Sequence, residues 1–144
     1  MNTSAKILLS TSTLMLLTAP LGAHHMMGGK MPSNFTEGWL SGLSHPVIGL
    51  DHLAFILAAG ILCSIFPGRK AWLMPLGFIA ATVVGTGIHL ANVYIPRTET
   101  LIALSVLAAG VLIAMRSGAA LAVASLLPLA GIFHGYAYGE SIVG

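Results

Sequence analysis

Four apolar runs, residues 42–66, 71–91, 100–115 and 119–139, fill most of the chain beyond residue 41 and are separated only by short turns. About 20 apolar residues cross a bilayer as a helix. The first, second and fourth runs are therefore long enough to span, whereas the third, with 16 residues, spans only if its flanks are drawn inward. In lipid every backbone polar group needs an internal partner, which favours helices over open sheet. The expectation is an all-α, polytopic membrane helical bundle with about four transmembrane helices after an N-terminal signal helix. Composition agrees, since six Lys and Arg and four Asp and Glu make up 7% of the chain, against roughly 25% in a soluble domain. The basic residues are scattered singly, which leaves no stripe for nucleic acid. The single cysteine, Cys63, excludes an internal disulfide framework.

Lys6, an apolar run over 7–19 and Ala23 resemble a secretory signal, either cut after Ala23 or kept as an anchor. The chain thus divides into residues 1–23 as signal peptide or signal anchor, 24–41 as an exported segment containing His, Met and Gly, and 42–144 as the transmembrane domain. Two turns, Pro67-Gly68-Arg69-Lys70 and Arg116-Ser117-Gly118, hold three of the five basic residues beyond the signal. The positive-inside rule puts both in the cytoplasm, and His24 on the outer side of the inner membrane.

Ionisable side chains within such runs are expensive and usually line a functional interior. His45, Asp51 and His52 lie in the first run, His89 ends the second, Glu99 opens the third, and His134 and Glu140 close the fourth. With the topology above all of them fall towards the outer side, with Glu99 expected at membrane depth. His45 and His52 are seven residues apart, two turns on one face if the helix is continuous. Pro46 interrupts that reading, because a proline suits a first turn and would make His45 the cap of a helix opening at the site. His134 and Tyr138 share a face one turn apart. Imidazoles with carboxylates suit borderline divalent ions such as Ni(II), Co(II), Zn(II) or Cu(II) better than Ca or Mg. In the exported segment His24 and His25, with a new α-amine after cleavage, form a candidate capture site. Gly131, Gly135 and Gly139, at intervals of four, form a stripe for close helix packing.

His45-Pro46-Val47-Ile48-Gly49-Leu50-Asp51-His52, followed by Gly60, resembles the HPxxGxDH signature of the HupE/UreJ family of nickel and cobalt permeases. Glu99, Ile102 and Ser105 resemble its Glu-to-Ser segment, and the stretch from His134 to Glu140 resembles its HGxAHGxE segment. The resemblance covers the chain from about His24 onward, including the leader with histidines just after it, a feature similar to cyanobacterial-type members. Two departures stand out: Tyr138 occupies the place of a second histidine, and members usually continue into a further apolar helix where this sequence ends at Gly144.

The resemblance implies uptake of nickel or cobalt for metalloenzymes, with the metal as transported ion and no prosthetic group. The expected ligands are His45, Asp51, His52, His89, His134 and Glu140, with capture by His24 and His25. The expected partners are the ion, the lipid bilayer, further copies of the chain and downstream metalloenzyme assembly proteins. No GxxxxGK[ST] loop marks an ATP site, so a secondary permease is the leading reading. A membrane metal receptor or metallocentre assembly factor that does not transport is the alternative. A membrane metallohydrolase is disfavoured by the absence of an HExxH helix.

Overall fold

A computed structural model describes residues 32–65, 69–116 and 119–143, and within them the regular structure is all helical. The elements are α1 (Phe35–Ile48), α2 (Leu50–Ser64), a short 3-10 turn (Arg69–Trp72), α3 (Leu73–Leu90), α4 (Thr98–Ala114) and α5 (Ala120–Val143). The signal, the exported histidines His24 and His25, and parts of both basic turns lie outside the described residues.

Local chemistry sets the helix ends. The Asn34 side chain accepts a hydrogen bond from the Glu37 amide at 3.0 Å, and the Glu37 carboxylate reaches back to the Ser33 amide and hydroxyl, each at 2.8 Å. This reciprocal arrangement occupies amides that have no partner within the helix. At the other end of α1, Pro46 sits inside the helix, where it lacks an N–H and crowds the carbonyl four residues earlier. The helix nevertheless continues to Ile48 and breaks at Gly49, whose backbone is extended. The first apolar run is therefore two helices bent by 72°, and the new helix opens at Leu50 rather than at Pro46 as expected.

The break depends on a missing side chain and not on unusual dihedrals. At φ −72° Gly49 adopts a conformation open to any residue, but a Cβ there would stand 2.6 Å from His52 Cδ2 and 3.2 Å from both Asp51 Oδ1 and the His45 carbonyl oxygen.

The most extensive packing joins α3 to α5, where the glycine stripe does what its spacing predicted. A Cβ on Gly131 would lie 2.7 Å from the Phe78 carbonyl oxygen, and one on Gly139 would lie 2.7 Å from His89 Cβ. Cβ atoms on Gly85 and Gly135 would collide with the Ile132 and Thr82 carbonyl oxygens, so here backbone meets backbone. Thr86 Oγ1 stitches the seam by donating to the Gly135 carbonyl at 2.8 Å. Beside it, Phe55, Ala59 and Leu62 of α2, Ala109 of α4, and Val123, Leu127 and Ala130 of α5 form the apolar core.

The outer surface is greasy, with Leu57, Leu76, Val83, Leu104 and Leu121 among many exposed large apolar side chains. That is the reverse of a water-facing shell. α3 and the 23-residue stretch Ala120–Ile142 of α5 are long and apolar enough to cross a membrane, and the bent pair α1–α2 makes up to three such spans. α4, with 17 residues, falls short of that length, and Glu99 is exposed in its first turn.

Candidate metal site

The 72° bend brings the last turn of α1 onto the first turn of α2, so His45 and His52 meet through the break and not along a continuous helical face. Their Nε2 atoms are 3.1 Å apart. From the other side of the His52 ring, Nδ1 lies 2.7 Å from Nδ1 of His134 on α5. His134 in turn places Nε2 3.0 Å from the Ser105 hydroxyl on α4, and that hydroxyl donates to the Ile102 carbonyl at 2.7 Å. Three imidazoles and a serine thus form one hydrogen-bonded row drawn from four helices. All three rings are at most 5% exposed. A buried polar group without a partner is costly, and these bonds remove that cost for the nitrogens they join.

Aromatic rings enclose the row. The Phe55 ring lies 4.6 Å from that of His134, and Tyr138 sets its edge against His45 at 5.4 Å and His52 at 5.1 Å. His134 and Tyr138 share a face as their spacing predicted, and Tyr138 adjoins the row without closing it.

The other expected ligands stand apart. Asp51 is half-buried at the start of α2, where its Oδ1 accepts the His52 amide at 2.8 Å. This carboxylate sits next to the row and holds a first-turn amide of its own helix, at an N-terminus that favours negative charge. His89 packs against Tyr136, ring centroids 4.8 Å apart, and over Gly139; its Nδ1 is buried without a hydrogen bond among the described residues. Glu140 is exposed near the end of α5. Among the described residues no group of three or more His, Cys, Asp or Glu could hold a metal ion as it stands. In the row the nitrogens meet in successive pairs, through different nitrogens of His52, and not around one point.

Ser105 is the residue that chemical reasoning on the sequence did not single out beyond its place in a motif. A signal was available, because the buried positions Thr98, Ile102, Ser105 and Ala109 follow the 4-3-4 spacing of a helix face turned inward. A serine on such a stripe must find a partner.

A family model described as HupE / UreJ protein matches residues 12–144 of this sequence. Protein HupE of Rhizobium leguminosarum bv. viciae is 32% identical over 130 residues, covering 90% of this chain and 65% of that protein. The chain therefore spans just under two thirds of the length of that curated relative. No solved structure matches.

Proposed function

The chain belongs to the HupE/UreJ family, and from that premise and the buried imidazole row we propose that it is a secondary permease for divalent transition-metal ions, nickel or cobalt, in the inner membrane. In this reading four spans follow a signal segment, residue 24 lies outside, and His24 and His25 offer the first donors. The observation that carries the proposal is the meeting of His45, His52 and His134 at a broken helix. Discontinuous helices are a recurrent way of building ion sites at membrane depth, because the break frees backbone carbonyls and helix termini beside the ion. Here the carbonyl end of α1 and Asp51 at the start of α2 add negative potential next to three neutral donors.

An ion must displace the hydrogen bonds of the row. Two metal–nitrogen bonds of about 2.0 to 2.1 Å at a tetrahedral angle separate the nitrogens by about 3.3 Å, whereas those of His52 and His134 are 2.7 Å apart. Binding therefore exchanges imidazole–imidazole bonds for ion–imidazole bonds, and the rings part as the ion enters. Asp51 offsets part of the ionic charge, and Tyr138 packs against the rings of His45 and His52. Entry needs no nucleotide: each unit charge crossing about 100 mV is worth about 2.3 kcal/mol, so a dication gains about 4.6, more than a thousandfold in accumulation.

The test is uptake of radiolabelled nickel and cobalt by cells expressing this chain alone, beside His52→Ala and Asp51→Asn, with membrane insertion verified for each. Import by the wild type that falls in both variants is the expected result. Unchanged import in both variants overturns the pathway. Binding at the cell surface without import would assign the chain to the receptor class.

A further inference from the structure

The imidazole row ends on a hydroxyl whose single proton decides which way every hydrogen in the row points. Ser105 and His134 are both buried, so neither falls back on solvent for a partner. The Ser105 hydroxyl donates to the Ile102 carbonyl, and a carbonyl oxygen can only accept. A serine carries one hydroxyl hydrogen, so towards His134 its oxygen is the acceptor and His134 Nε2 holds the hydrogen. A neutral imidazole has one N–H. His134 Nδ1 is therefore bare and accepts from Nδ1–H of His52. His52 Nε2 is then bare in its turn and accepts from Nε2–H of His45. The hydrogens all point towards α4, which leaves His134 Nδ1 and His52 Nε2 as the acceptor nitrogens of the row.

We propose that Ser105 is a positioning residue that fixes this tautomer ladder, so that a divalent cation parting the rings finds bare nitrogens at His134 Nδ1 and His52 Nε2. The ladder follows from the hydrogen bonds alone, while the part played by the cation rests on the permease reading above. The reverse ladder requires Ser105 to donate to His134 and to abandon Ile102. A serine within a helix readily bonds the carbonyl one turn behind it, which holds the proton where it is. Ser105 itself touches no ion in this role; its effect passes through His134 and His52. The signature is specific: His52 alone of the three is held as the Nδ1–H form, the minor tautomer of free histidine in water, while His45 and His134 are Nε2–H.

The experiment is solid-state NMR on the full chain in lipid bilayers, with 13C,15N-labelled histidine, at about pH 8, where unperturbed imidazoles are neutral. Single substitutions of His45, His52 and His134 assign the signals. The wild type is expected to give the His52 Nδ1–H signal, Ser105→Ala to lose most of it, and Ser105→Thr to keep it, since a threonine hydroxyl can bond the same carbonyl. An unchanged pattern in Ser105→Ala overturns the proposal, as does loss of the signal in Ser105→Thr or a wild-type His134 found as Nδ1–H. Titration of the same samples with Ni(II) alone gives a second readout. Affinity should weaken about tenfold in Ser105→Ala and stay within about twofold in Ser105→Thr; equal affinity in all three overturns the assigned role. If the wild type binds no Ni(II), the permease reading falls, and the tautomer pattern by itself still decides what Ser105 does.

Discussion

The α3–α5 seam and the α1–α2 break both depend on glycine, for opposite ends. In the seam, Gly85, Gly131 and Gly135 let two backbones touch while Gly139 admits the His89 side chain, and the backbone contact leaves no room for adjustment. At the break, Gly49 leaves a gap that an imidazole fills, and the neighbouring contacts are made by side chains, the His45–His52 ring pair and the Asp51 carboxylate on the His52 amide. Close packing of helices suits a frame that stays fixed. Contacts made by side chains that can rotate suit a part that opens. On the proposed function, the contrast gives stability to one region and ion handling to the other.

The largest effect should come from attacking the frame. Gly135→Val sets a branched side chain against the Thr82 backbone, so the expected loss is about 3 kcal/mol or more of stability, at or beyond the upper end for overpacking. Thermal unfolding in detergent measures it, and a wild-type midpoint would break the distinction. Next in size is His52→Ala, which removes the central ring of the row. Nickel uptake per inserted molecule should fall at least about tenfold, about 1.4 kcal/mol, while the unfolding midpoint moves far less than in Gly135→Val.

Gly49→Ala sharpens the comparison, because its methyl would press on His52 Cδ2 from 2.6 Å. The ring can turn away, so the protein should fold and yet bind Ni(II) several times more weakly, as read by titration in detergent. Acidification tests the same region without mutation: metal binding needs unprotonated imidazole, so uptake should decline below about pH 6. A flat profile over pH 5 to 8 would count against histidine ligation. Smallest of all should be Glu140→Gln, at an exposed position away from the row, with nickel uptake within about twofold of wild type, about 0.4 kcal/mol.

Much of this division is legible in the amino-acid order. Apolar runs and a four-residue glycine period are local patterns; the runs identified helical segments and the glycine period the α3–α5 seam, but the first run is two bent helices and α4 is shorter than a span. His45, His52 and His134 were recognisable as polar residues out of place. What could not be read was how they meet. A seven-residue interval suggests one face of one helix, and Pro46 suggests a start, yet the outcome turns on the space available at Gly49, which only the folded neighbours define. The same holds for His89 and Glu140. Their positions near helix ends imply a shared depth, but depth says nothing about the angle around the helix axis, and the seam with Gly139 turns His89 onto Tyr136 instead.

The place of His134 along α5 has an electrical consequence. It is the fifteenth of the 24 residues from Ala120 to Val143, which on the proposed orientation is about two fifths of the way in from the outer end. If the potential falls evenly along the helix, an ion arriving from outside has crossed about two fifths of the field on reaching the row, worth about 1.8 kcal/mol per 100 mV for a dication. Apparent affinity for the metal should then rise with an inside-negative voltage before any transport step takes place. De-energising the cell would weaken capture as well as passage.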